Sequence, residues 1–239
     1  MKALLALIAA LWTTSVVTPP AVQHRSENES ASRLLATAER FGPDLGKFRR
    51  RPIPQELLDK HANTIRTLRA QIISNEPPVW AMDANDILDP VMPPLRIIFR
   101  LYNVLAADAF AQQSKTAAWA DLHAMWILSR SLYDRPEWIS ISTANIGRRM
   151  IASVAGQLGE PPAWFAEVKS FDTHAPMQRS IDYEAWLIHS RADRYPLGEP
   201  DGTFIGDSFR TLAAPVARPI RLMQAKMEID AMRKQAAAH

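Results

Sequence analysis

The chain contains no cysteine and only 8 glycines among its 239 residues. The lack of cysteine excludes disulfide bonds, thiol nucleophiles and cysteine-based zinc sites. Scarce glycine, together with abundant alanine and leucine, disfavours a fold of short strands joined by glycine-rich turns. No long segment alternates apolar and polar residues with an enrichment of β-branched side chains, so the sequence predicts almost no strand. The predicted fold class is therefore all-α.

The sequence also lacks the short motifs that identify common enzyme classes. It has no G-x-S-x-G nucleophile motif, no G-x-G-x-x-G dinucleotide motif and no G-x-x-x-x-G-K phosphate loop. No two of its 6 histidines have the helical spacing that places two metal ligands on one face. The net charge of +3 is too small to indicate binding to nucleic acid. We therefore expect no cofactor, no metal and no nucleic-acid partner.

The N-terminal segment has the layout of a translocation signal. Lys2 supplies a positive charge, residues 3–17 form an uncharged apolar run, and Pro19 and Pro20 follow it. The run is shorter than the about 20 residues that span a bilayer comfortably, and no A-x-A cleavage site follows it. We expect residues 1–18 to be either a signal peptide or a membrane anchor. The protein would then be exported, and either periplasmic or anchored to the cytoplasmic membrane facing outward.

Apolar residues at steps of three and four predict a series of helices after this segment. Ser26 and Glu29 have the spacing of a capping box, which predicts that a helix begins at Ser26. A second helix is predicted from Pro54 to Asn75, after a basic loop over residues 44–54. The longest apolar stripes and the shortest connections predict three further helices, over residues 94–113, 115–133 and 136–158.

Two shorter helices are predicted towards the C-terminus, one opened by Pro161 and Pro162 and one over about residues 177–192. Short connections predict antiparallel helical hairpins that form a bundle or a short repeat-like array. No long linker interrupts the pattern. We therefore expect residues 19–25 to be a linker and residues 26–239 to form a single α-helical domain.

Residues 107–158 resemble the best-marked part of an uncharacterised family of exported or membrane-anchored bacterial α-helical proteins. The resemblance rests on three features. Small residues end one helix (Ala107, Ala109 and Ala111), and the next helix opens with Ala118, Asp121 and Leu122. The third helix opens with Pro136 and Ile139. The resemblance implies helical hairpins behind an apolar N-terminal segment, and it implies no known activity. The first hairpin is also similar in part to a tetratricopeptide unit, although no second copy follows at a period of about 34 residues.

Charged residues inside apolar helical segments are the candidate binding residues. Glu184 has Ile181 and Ile188 one turn to either side, so we expect its carboxylate to be buried and paired with an arginine of another helix. The candidate partners are Arg100 and Arg148, with Arg130 as the third. Such a pair would be either structural or part of a binding site.

Two functions are compatible with the sequence. The first is a noncatalytic envelope protein whose helices offer a surface to a protein, a peptide or an envelope polymer, with membrane association through residues 3–17. The alternative is an exported hydrolase that uses dispersed carboxylates such as Asp121 and Glu184. A pocket with two facing carboxylates would favour the enzyme, whereas a solvated groove lined by tryptophan and leucine would favour binding. The sequence indicates no catalytic residue.

Overall fold

The structure is a computed structural model that describes most of the first three quarters of the chain. The described residues are 25–49, 53–82, 92–180 and 182–183. All of them belong to one unit, residues 18–183. The expected signal segment, the C-terminal part of the expected domain and Glu184 lie outside the described residues, so these predictions stay predictions.

The described residues are almost entirely helical. In chain order the elements are α1 (Glu29–Glu39), a 3₁₀ helix (Gly42–Arg49), α2 (Gln55–Ser74), α3 (Leu95–Ala111), α4 (Lys115–Tyr133), α5 (Trp138–Leu158) and α6 (Phe165–Ser170). Residues 174–180 are also helical. Within these ranges there is no strand, and one isolated antiparallel bridge joins Arg25 to Met82. The all-α prediction is confirmed.

Helices α2 to α5 lie close to the bounds that the apolar stripes predict, but the first helix begins differently. Its N-cap is Asn28 instead of Ser26, and the Asn28 side chain accepts a hydrogen bond from the Ala31 backbone N–H at 3.0 Å. The same oxygen accepts from the Val79 N–H at 2.9 Å. The capping-box prediction was wrong because a tertiary contact with the connector after α2 selects the cap. Residues 44–49 of the predicted basic loop belong to the 3₁₀ helix.

Helix α4 lies at the centre of the fold and packs against α2, α3 and α5. Its neighbour α5 approaches closely at Gly147, where an added Cβ would lie 2.5 Å from Ser129 Oγ and 2.8 Å from Tyr102 Cζ. Both contacts are shorter than any comfortable van der Waals separation, so this crossing requires glycine. Because Gly147 has no side chain, α5 can pack closely on the α3–α4 hairpin.

A buried ion pair fixes the turn between α4 and α5. Arg135 and Glu137 are 1% and 3% exposed, and Arg135 Nε donates to Glu137 Oε2 at 3.0 Å. A second guanidinium nitrogen donates to the other carboxylate oxygen, which makes the pair bidentate. Arg135 Nη1 also donates to the Trp80 carbonyl at 3.2 Å. The pair thus ties the connector after α2 to the central hairpin.

The described helices do not include one that is both long enough and apolar enough to cross a membrane.

Candidate functional site

One arginine bridges two carboxyl groups where α2, α3 and α4 meet. Arg69 Nη1 lies 2.9 Å from Asp121 Oδ1 and 3.5 Å from Asp108 Oδ2. Asp121 is 0% exposed, and its Oδ2 has no hydrogen-bond partner among the described residues. Burial, together with the neighbouring Asp108 carboxylate, raises the pKa of Asp121 to about 8, although Arg69 acts in the opposite direction. Asp121 is therefore largely protonated at neutral pH.

A protonated Asp121 explains the geometry of this junction. Its Oδ1 accepts from Arg69, while a proton on Oδ2 gives that oxygen a hydrogen to donate to the nearby Asp108 carboxylate. Gln112 Nε2 donates to Asp108 Oδ2 at 2.9 Å and completes the set of contacts. The cluster joins three helices through one guanidinium and two carboxyl groups.

Facing carboxyl groups are the feature expected of the hydrolase alternative, but access to them is poor. The Asp108 side chain is 12% exposed and that of Asp121 is 0% exposed. Neither of the two grooves described below is lined by either residue. A general acid must come within hydrogen-bonding reach of a substrate, and this junction offers a substrate little space. The contacts favour a structural role for the pair.

A second charged cluster joins the 3₁₀ helix to α2. The Asp44 carboxylate lies 2.6 Å from Lys47 Nζ, 2.7 Å from Lys60 Nζ and 3.0 Å from His61 Nε2. Lys47, then Lys60 and His61, hold the pKa of Asp44 well below its usual range. The His61 imidazole is 7% exposed and packs against the ring of Phe41. Asp44 and His61 are buried and the two lysines are exposed, and the contacts of Asp44 with Lys60 and His61 connect the 3₁₀ helix to α2.

The three arginines singled out in the sequence lie in different surroundings. Arg148 Nε donates to the Val168 carbonyl at 2.9 Å, and Arg148 therefore satisfies the C-terminal end of α6. Arg130 Nε lies 3.3 Å from Glu167 Oε1 in a partly exposed pair that also holds α6. Arg100 is half-buried on α3 and has no ion pair with another described residue. Pairing with Glu184 lies outside the described residues.

The face of α4 that α6 covers is aromatic. The His123 ring stacks on Trp164 with centroids 4.6 Å apart, and Trp119 meets Trp164 edge to face at 6.0 Å. Burial lowers the pKa of His123, which favours its neutral form. Trp126 Nε1 donates to Glu167 Oε2 at 3.2 Å. These contacts pack α6 against α4, and they give His123 the role of a packing residue.

An open groove lies between the start of α2 and the C-terminal half of α3. Its volume is about 550 Å³, within the range of sites that hold small ligands or side chains of a partner. Its wall is mostly apolar, and Phe110 stands 48% exposed at the surface of α3. The lining residues are Ile53, Gln55, Leu58, Asn103, Ala107, Phe110 and Ala111.

Helical spacing explains why one side of α3 forms this wall. Asn103, Ala107 and Ala111 follow one another at steps of four residues and therefore share one face. Asn103 Nδ2 donates to the Phe99 carbonyl at 3.1 Å within the same helix. Sequence reasoning missed the groove because apolar residues surround nearly the whole of α3. The one available signal was Phe110, an aromatic residue outside the principal apolar stripe.

A smaller groove of about 320 Å³ lies on the outer face of α5. It is lined by Ile146, Arg149, Met150, Ser153 and Val154. Ile146 is 40% exposed there, so this face also presents an apolar side chain to solvent. All of its lining residues belong to one helix, whereas two helices form the wall of the larger groove.

The groove between α2 and α3, hereafter the α2–α3 groove, is the candidate functional site. No group of histidine, aspartate and glutamate side chains within the described ranges is arranged to hold a metal ion. Comparisons with known protein families, with curated proteins and with solved structures give no match for this chain.

Proposed function

We propose that the protein is a noncatalytic binding protein of the cell envelope whose α2–α3 groove holds an apolar peptide segment of another protein. The observation that carries the proposal is the open, mostly apolar groove with Phe110 48% exposed at its edge. Aromatic residues in such positions contribute strongly to binding between proteins. The groove is formed by two long helices, which provide a rigid surface for a partner.

The lining favours a peptide over an envelope polysaccharide. Ile53, Leu58 and Ala107 offer apolar surface, which suits leucine-like or aromatic side chains of a partner. The amide oxygens of Gln55 and Asn103 can accept from the N–H groups of a peptide backbone, while their NH₂ groups donate to Asp59 and to the Phe99 carbonyl. A polysaccharide presents mainly hydroxyl groups, and two amides provide few partners for them.

Peptide selection on the immobilised full-length protein tests the proposal. A displayed library of random peptides should yield sequences rich in apolar residues, and a synthetic copy of one provides the probe for measuring Kd. Phe110→Ala should weaken binding about tenfold, because it removes the exposed ring while alanine keeps the helix. The matched control is Ile146→Ala, which removes an exposed apolar side chain from α5 (40% exposed against 48% for Phe110).

Two results would overturn this function. The first is that Phe110→Ala and Ile146→Ala lose the same affinity, or that neither loses any, because the peptide would then bind outside the groove. The other is self-association of the chain that Phe110→Ala abolishes in sedimentation velocity. A second copy of the chain would then occupy the groove in place of a partner peptide.

The envelope location rests on the first residues of the sequence. Lys2, the apolar run of residues 3–17 and the prolines after it occur in the order that translocation requires. Fusion of residues 1–18 to a reporter that is active only outside the cytoplasm should give an active reporter. An inactive reporter with full expression of the fusion would rule out export, without bearing on the groove.

A further inference from the structure

Two arginines extend the face of α3 that lines the α2–α3 groove. Arg96 and Arg100 are four residues apart, and Asn103 and Ala107 continue the same face towards the groove. Arg96 is exposed and Arg100 is half-buried. One side of α3 therefore presents positive charge at its N-terminal end and apolar surface at its C-terminal end.

Neither of these arginines has an ion-pair partner within the described part of the chain. Several other arginines do have carboxylate or carbonyl partners there: Arg33, Arg69, Arg130, Arg135 and Arg148. The acidic residue of α3, Asp108, contacts Arg69 instead. Arg96 and Arg100 are thus positive groups whose charge the described fold leaves uncompensated.

The sequence beside the groove lining contains both basic and acidic residues. The 3₁₀ helix packs against α3 and ends at Arg49, and Arg50 and Arg51 follow in the sequence before Ile53 of the groove lining. The start of α2 carries two exposed acidic residues beside the apolar end, Glu56 and Asp59, and the Asp59 carboxylate accepts from Gln55 at 2.9 Å. The apolar end of this surface therefore has charges of both signs nearby, whereas the end formed by Arg96 and Arg100 carries positive charge and attracts negative groups.

We propose that the peptide segment bound in the α2–α3 groove carries acidic residues at one end, which pair with Arg96 and Arg100. This inference rests on the proposed function and specifies the partner. Arg100 and Ala107 are separated by about 10 Å along the helix axis, from the rise of 1.5 Å per residue. A helical partner would place its acidic residues about seven positions from its apolar anchor, and an extended partner about three.

Matched synthetic peptides test the role of the charge. The probe is a labelled helical peptide with a leucine-rich segment and two glutamates about seven residues away, alongside copies with two glutamines or two lysines at the same positions. Fluorescence anisotropy with the full-length protein gives the three Kd values at low and at physiological salt. We expect the glutamate peptide to bind at least about fivefold tighter than the glutamine peptide, and the difference to shrink with salt.

Charge reversal on the protein provides the decisive comparison. The double variant Arg96→Glu with Arg100→Glu should prefer the lysine peptide over the glutamate peptide, because attraction and repulsion exchange places. Arg149→Glu, which reverses an exposed arginine of α5, is the matched control and should keep the preference for glutamate. Circular dichroism and the unchanged binding of the glutamine peptide verify that the double variant is folded.

The outcomes separate the charge proposal from the groove itself. Equal Kd values for the three peptides, with binding still sensitive to Phe110→Ala, would overturn the acidic partner and leave the groove function standing. The acidic partner would also be overturned if Arg149→Glu lost the preference for the glutamate peptide as fully as the double variant does. The net charge of the protein alone would then explain the preference. Binding of the peptides that Phe110→Ala leaves unchanged would overturn the proposed function as well.

Discussion

Buried Asp121 should make the protein less stable as the pH rises from acidic to mildly alkaline values. Burial and the neighbouring Asp108 raise the pKa of Asp121 to about 8 in the folded protein. In the unfolded chain an aspartate has a pKa of about 3.9. Between these values the folded state holds a proton that the unfolded state has released, so the free energy of unfolding decreases with rising pH. The loss is complete once the pH passes the folded pKa.

The expected slope follows from proton linkage. One proton bound in the folded state alone lowers the free energy of unfolding by about 1.4 kcal/mol per pH unit. In a domain of this size that corresponds to a decrease in Tm of roughly 3 to 6 °C per pH unit. Other groups titrate in the same range, so the contribution of Asp121 must be isolated by comparison with a variant.

Asp121→Asn is the informative variant because it imitates the protonated carboxyl group. Its amide oxygen can accept from Arg69 Nη1, as Asp121 Oδ1 does at 2.9 Å, and its NH₂ group can donate to Asp108 as a protonated Oδ2 would. The variant should match the wild type below about pH 4, where Asp121 is protonated in both states, and should exceed it at higher pH by about 1.4 kcal/mol for each unit up to about pH 8. Asp59→Asn, a change at an exposed aspartate of α2, is the control.

Urea denaturation followed by tryptophan fluorescence measures these free energies at several pH values. We expect the free energy of unfolding of Asp121→Asn to exceed that of wild type by an amount that grows with pH. For Asp59→Asn we expect a difference that does not change with pH. An Asp121→Asn protein that is less stable than wild type at about pH 8 would show that Asp121 is ionised and paired with Arg69 there. A difference in the free energy of unfolding between Asp121→Asn and wild type that does not change with pH would also refute a protonated Asp121.

Four other substitutions test the packing. Glu137→Ala leaves the buried Arg135 without its carboxylate and should lower the free energy of unfolding by about 3–5 kcal/mol, so a loss below about 0.5 kcal/mol would contradict the buried pair. Gly147→Ala should cost about 1–3 kcal/mol because its Cβ meets a serine oxygen at 2.5 Å, whereas Gly156→Ala, with no atom within 4 Å, should stabilise α5 by about 0.5–1 kcal/mol. Both are measured by denaturant titration, and equal effects would contradict the close crossing. Glu184→Ala should cost on the order of 3 kcal/mol if its carboxylate is buried and paired, and less than about 0.5 kcal/mol if it is exposed.

The helices themselves could be predicted from the sequence because their signals are local. Apolar residues at steps of three and four, with prolines at the helix starts, place α2 to α5 within a few residues of their observed bounds. The first helix start could not be predicted in this way. Two residues near it, Ser26 and Asn28, can both cap a helix, and contacts with Val79 and Glu76 far along the chain select Asn28.

The buried charges show a similar limit. The contact of Asp121 with Arg69 joins residues 52 positions apart, so no local pattern in the sequence indicates it. The predicted pair of Glu184 lies outside the described residues, and among the described residues the most buried ion pair is that of Arg135 and Glu137, which no local pattern indicates. Burial depends on what the other helices cover, and a pKa depends on burial, so neither can be derived from neighbours in the sequence.

The candidate site was decided by the tertiary structure alone. The sequence by itself determined that α3 is a helix with apolar residues on nearly all sides, and that Arg96, Arg100 and Ala107 share one face. It did not determine which apolar residues the neighbouring helices would cover. Packing of α2, α4 and α5 buries Leu101 and Leu105 completely and leaves Phe110 48% exposed beside the groove. Periodicity is a property of one helix, whereas a groove is the space that two helices leave between them.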